Sequence, residues 1–211
     1  MMIMTLKIFF VFIISFMLSS CSQESSLKKR DGLIVYQEAQ ISWSRNFNPL
    51  SPAGSTRWPT KCGIHEPLFV YNSMTGRWVP WLAVSYKWNK NNTVLEMKTR
   101  KNVFWSDGLP FTANDVVFTS KIKKDFKALD TRNSWEYLDQ VVAINDSTVQ
   151  YKFNRVNVPG FDALATQSIV PKHIWEKVED PVRFLNPNPV GTGPFTEILR
   201  FDNQIWELGK N

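Results

Sequence analysis

Two histidines and two cysteines among 211 residues leave little material for metal or nucleophile chemistry. His65 and His173 have no partner at ligand spacing and no Cys or Ser elbow beside them, so each is expected to be structural. No catalytic residue, metal ligand or cofactor is assigned. The absence of a G-x-x-x-x-G-K-[ST] stretch excludes a phosphate-loop ATPase. There is no internal repeat, which excludes a repeat array. No apolar run approaches the roughly 20 residues that a membrane-spanning helix needs. So few cysteines also exclude a disulfide framework, and the fold must rest on its core.

A true excess of one charge is lacking too. The formal net charge is +6, but Lys7, Lys28, Lys29 and Arg30 all lie near the N-terminus. Without these four, 21 basic residues face 19 acidic ones. No basic face with interleaved aromatics remains, and nucleic acid is excluded as a partner. What is abundant is tryptophan: nine residues, pointing either to a strongly aromatic core or to a surface that stacks on ligands.

Residues 1–21 read as an export leader. Lys7 precedes an apolar run from Ile8 to Leu18, about the length of a signal-peptide h-region. Leu18-Ser19-Ser20-Cys21 resembles the bacterial lipobox, which implies cleavage before Cys21 and lipid attachment to its thiol. Residues 22–32 form a polar tether. The folded part is therefore expected on the periplasmic or cell-surface side, anchored to a membrane by lipid. A lipidated Cys21 cannot pair with Cys62, which is expected to be free and buried as a small hydrophobe.

In the mature chain, Leu33-Ile34-Val35-Tyr36 predicts a first strand, and the Asn- and Pro-rich stretch after it a loop. Pro67 to Tyr71 predicts another strand. Two hairpins follow: 84–88 with 93–100, and 141–144 with 148–153. Leu95 and Met97 alternate with Glu96 and Lys98, and Val149, Tyr151 and Phe153 with polar neighbours. Between them, Thr112 and Asp115 fit a capping box, and Phe118, Ile122, Phe126 and Leu129 make one helical stripe. A shorter helix is predicted from Pro171 through Ile174, Trp175 and Val178. This mixture is α+β, a sheet with covering helices.

The stretch Arg100-Lys101-Asn102-Val103-Phe104-Trp105-Ser106-Asp107-Gly108-Leu109-Pro110-Phe111-Thr112-Ala113-Asn114-Asp115 resembles the family 5 extracellular solute-binding proteins of the oligopeptide, dipeptide and nickel-binding type. Glu66-Pro67-Leu68-Phe69, Pro80-Trp81-Leu82-Ala83, Ile169-Val170-Pro171-Lys172-His173-Ile174 and Pro189 to Phe195 match further motifs in order. The resemblance implies the first lobe of a periplasmic-binding-protein type II fold, incomplete here. It implies one subdomain from 33–55 plus 186–211 and another from 56–185, with a second lobe beyond Asn211 as the opposite wall of the cleft. It also implies that the chain is no enzyme. The expected function is capture of extracytoplasmic oligopeptides, or oligosaccharides, for delivery to ABC permease subunits. The alternative is a truncated fragment that binds nothing.

Most of the motif residues have scaffold duties. Asp107-Gly108 turns the chain, and Gly191 and Gly193 permit a passage too tight for a Cβ. Ligand contacts are expected instead on the loop after the first strand, at Trp43, Arg45, Asn46, Phe47 and Asn48, with Trp58 further along. The competing reading makes Trp43 and Phe47 plugs of the core.

Overall fold

A computed structural model describes residues 32–36, 44–52, 55–202 and 205–211. The leader, Cys21, the tether up to Asp31 and Trp43 lie outside the described residues. Among the described residues there are three sheets, and every strand pair in them is antiparallel. The predicted first strand is β1 (Gly32–Tyr36), which pairs with β9 (Ile205–Lys210), itself paired with β8 (Phe195–Asp202). A small hairpin joins β2 (Phe69–Asn72) to β3 (Arg77–Pro80).

The largest sheet contains both predicted hairpins. It orders β4 (Ala83–Trp88), β5 (Val94–Thr99), β7 (Thr148–Phe153) and β6 (Leu138–Asn145) side by side. Alternation decides its faces. Leu95 and Met97 are buried and sit opposite Tyr151 and Val149, while Glu96 meets Gln150 on the outer face with a 3.0 Å hydrogen bond. Each apolar residue thus has an apolar partner across the ladder.

The helix α1 (Ala113–Asp125) covers β6 and β7. Its capping box is present: Thr112 N donates to Asp115 Oδ2 at 2.8 Å, and Asn114 N donates to Thr112 Oγ1 at 3.2 Å. The predicted stripe is only half of its buried surface. Ala113, Val116 and Val117 pack on the sheet. Phe118, Ile122, Phe126 and Leu129 join a second cluster with Leu50, Val170 and Trp175. The helix is covered on two sides, so a single-stripe pattern underestimates it, and its regular part ends at Asp125. Two short helices follow, α2 (Phe161–Ala165) and α3 (Lys172–Trp175), the latter shorter than its sequence pattern predicts. Asp115 Oδ1 accepts from Lys172 N at 3.0 Å, tying α3 to the start of α1.

The tryptophans serve mainly the interior. Trp105, Trp175 and Trp206 are fully buried, and Trp78, Trp88 and Trp135 pack against the main core. Trp206 belongs to a small separate core with Phe47, Ile64 and Leu208. Cys62 departs from expectation, because it is exposed. It sits at φ 69 on a tight turn whose apolar content is carried by Ile64, so its thiol faces out.

Candidate functional site

Three loops meet beside the small core, and the glycines explain how. Ser106 N donates to Gly191 O at 2.9 Å, and Gly193 N donates to Ile64 O at 2.9 Å. A Cβ on Gly193 would lie 2.2 Å from the Gly63 carbonyl oxygen, so only glycine allows the strands of loop to touch there. His65 completes the junction. Its Nδ1 lies 3.2 Å from Ile169 O, and Asn186 Nδ2 donates to its Nε2 at 3.3 Å while also reaching Phe47 O at 3.1 Å. The ring is fully buried, and that burial pulls its pKa down to about 4, against a small opposing effect of Ile169. A neutral ring with Nδ1–H donating and Nε2 accepting satisfies both partners.

The loop after β1 is stitched into this junction. Arg45 Nε donates to Pro187 O at 2.8 Å and its Nη2 to Asn188 Oδ1 at 2.9 Å, with the guanidinium over the Phe201 ring. Asn46 Nδ2 donates to Ser55 O at 2.8 Å, and Asn46 Oδ1 accepts from Asn48 N. Phe47 is fully buried, edge-on to Phe201. Asn48 Nδ2 donates to Pro181 O at 3.0 Å and Phe184 O at 2.7 Å, and its Oδ1 accepts from Leu50 N at 2.8 Å. Asn46, Phe47 and Asn48 therefore direct their groups to the chain's own interior. Trp58 is 62% exposed, and its carbonyl accepts from Trp206 Nε1. The structure gathers Arg45 to Asn48 at the junction, where Trp58 joins them through its carbonyl alone, its indole lying on the surface.

The next residues of the same loop reach open space. Asn48, by holding Leu50 N, sets Pro49, Leu50, Ser51 and Pro52 along one wall of a cleft of about 520 Å³. Lys61, Lys123 and Arg132 supply charge to its walls, and Gln167 and Ser168 supply polar groups. A hydrogen-bonded floor fixes these side chains. Lys123 Nζ donates to Gln167 Oε1 at 3.0 Å, Gln167 Nε2 donates to Ser120 Oγ at 3.3 Å, and Trp135 Nε1 donates to Ser120 O at 2.7 Å. Desolvation brings Lys123 down to about 8, with Asp130 opposing and Lys61 and Arg132 reinforcing. Partial desolvation and then Arg132 lower Lys61 as well.

Sequence reasoning missed Lys61, Lys123, Arg132 and Gln167. They come from a turn, a helix and two loops, and no spacing in the chain reveals that they converge. A second cleft of about 500 Å³ lies between Glu66, Trp81, Arg100, Phe104 and Thr192. There Trp81 Nε1 donates to Glu66 Oε1 at 2.7 Å and Arg100 Nε to Trp81 O at 2.9 Å, so its charged groups are already engaged. Among the described residues, no group of three His, Cys, Asp or Glu side chains is placed to hold a metal ion.

Residues 77–206 match the family model described as bacterial extracellular solute-binding proteins, family 5, middle. The chain is similar to the periplasmic oligopeptide-binding protein of Thermotoga maritima solved with mannohexaose, at 31% identity and a TM-score of 0.74, covering 82% of this chain and 32% of that one. It is similar to the oligopeptide-binding protein AppA of Bacillus subtilis solved with a nonapeptide, at 25% identity and a TM-score of 0.65, covering 78% of this chain and 33% of that one. An ABC transporter peptide-binding protein of Brucella ovis is 27% identical over 173 residues, 79% of this chain and 32% of the relative. The chain thus spans about a third of the length of the curated relatives it matches. The neighbours share the type II periplasmic-binding-protein fold, of which this chain is a partial, mixed α and β portion.

Proposed function

The chain belongs to the bacterial extracellular solute-binding proteins of family 5, and on that premise we propose that it captures oligopeptides outside the cytoplasm for an ABC permease. The observation that carries this reading is the cleft walled by Pro49 to Pro52 and floored by the Lys123–Gln167–Ser120 chain. Fixed donors and acceptors beside apolar Leu50 and Leu129 suit an extended backbone with tolerant side-chain pockets. The described residues that line this cleft include no aromatic ring on which a sugar could stack. An oligosaccharide is the second reading, favoured by the exposed indole of Trp58 and by the mannohexaose in the Thermotoga relative. Among the described members of the expected contact set, exposed Trp58 and half-buried Arg45 have surface left for a solute.

The division into 33–55 with 186–211, and 56–185, is part of the proposal. The sheet of β1, β9 and β8 joins residues 32–36 to residues 195–210 beside a small core of Phe47, Trp206 and Leu208, which supports it, although Ile64 of 56–185 also enters that core. Export and lipid anchoring at Cys21 rest on the sequence pattern alone. Labelling cells with radioactive palmitate tests them: label is expected in the wild type and not in Cys21→Ser.

Titrating the purified chain with blocked neutral tripeptides and with mannohexaose, followed by amide NMR shifts, tests capture itself. Saturable shifts with peptide around residues 49–52 and 163–168 are expected. Saturation by mannohexaose alone would favour the sugar reading, and no saturation by either would leave a fragment that binds nothing.

A further inference from the structure

We infer that the solute taken by this cleft presents a carboxylate, which Lys61, Lys123 and Arg132 receive together. The inference rests on the reading of the cleft as the solute site and adds the chemistry of what enters it.

The walls are charged with one sign. Of the described residues that line the cleft, three are cations and none is an Asp or Glu. Two carboxylates outside that lining act on these cations, Asp162 as the partner of Arg132 and Asp130 by attracting Lys123. Asp162 Oδ2 accepts from Arg132 at 2.6 Å, and Asp130 Oδ2 accepts from Trp135 N at 3.0 Å. Lys123 Nζ reaches a neutral amide oxygen at Gln167, and an ammonium has two more donors. Lys61 and Lys123 repel each other and also feel Arg132, whose charge Asp162 offsets only in part, and an entering anion relieves that repulsion. Ser168 adds a hydroxyl to the same walls, a suitable second donor to a carboxylate, whereas Thr166 Oγ1 already donates to Asp162 O at 2.7 Å.

A carboxylate can come from an acidic side chain or from a peptide's C-terminus. Three blocked peptides separate these sources: acetyl-Ala-Glu-Ala-amide, acetyl-Ala-Ala-Ala with a free C-terminus, and acetyl-Ala-Ala-Ala-amide. NMR titration of the full chain measures Kd for each. At least one of the charged peptides is expected to bind about tenfold more tightly than the amide, and which one identifies the source. Lys61→Gln and Arg132→Gln, both at exposed positions, are expected to remove that preference, bringing the charged peptides to the affinity of the amide measured with the same variant. Lys61→Arg should restore it, which a purely steric role for Lys61 would not. Equal affinity for all three peptides overturns the inference and leaves peptide capture standing. A preference for charge that survives both Gln substitutions also overturns it. If no peptide binds, the inference falls together with the reading of the cleft on which it rests.

Discussion

Gly191 passes so close beneath Ile64 that an added Cβ would lie 2.0 Å from the Ile64 carbonyl oxygen. Both sides of this contact are backbone, and Ile64 O is already fixed by Gly193 N. Neither side can yield cheaply. Gly191→Ala is therefore expected to cost about 3 kcal/mol, a large effect for one methyl group. Gly108 makes a control, because its φ is +85 but an added Cβ there meets open space. Gly108→Ala should cost about 1 kcal/mol from backbone strain alone. Urea unfolding of the two variants measures the difference, and equal effects would mean that the crossing can spread.

The buried His65 makes stability depend on pH. Its folded pKa is about 4 against an ordinary 6.5, so between these values the unfolded chain binds a proton that the folded chain refuses. Stability from this residue is intact above pH 6.5 and is lost as pH falls toward 4. The full loss is about 3 kcal/mol. Subtracting the urea-unfolding profile of His65→Gln from that of the wild type isolates this contribution from the carboxylates. A flat difference between pH 7 and pH 4 would show that the ring takes a proton without disturbing Asn186 and Ile169.

Cys62 is open to reagents without unfolding. Partial desolvation and then the Glu66 charge push its thiol up, against the pull of Lys61. A Cys21→Ser chain is expected to give one thiol titratable by DTNB in native buffer. Its reaction should be slower at pH 7 than that of a free thiol and should accelerate above pH 9. A thiol that reacts only in denaturant would restore the buried assignment.

How much of this was legible in the chain depends on the range of the interactions. Both large hairpins and the Thr112–Asp115 cap follow from local rules, alternation and capping, and those rules act over a few residues. The tight glycine crossing was legible as a need for glycine, though not as contact with Gly63 and Ile64, which lie over a hundred residues away. Burial of Cys62 was a composition-based expectation, and a single residue at positive φ on a turn defeated it. The loop after β1 was found, but its polar residues fold inward because the neighbouring 181–188 segment offers them carbonyls. The cationic walls were invisible because Lys61, Lys123 and Arg132 meet only in the folded chain.

The central claim, that solute enters the cleft beside Pro49 to Pro52, is tested most directly by filling it. Thr131 is an exposed lining residue, so Thr131→Trp can occupy the space with little strain on the core. Peptide titration of this variant, with its melting temperature measured alongside, is the decisive measurement. Peptide binding abolished at an unchanged melting temperature is the predicted result. Undiminished binding in the filled variant would place the solute elsewhere and contradict the account.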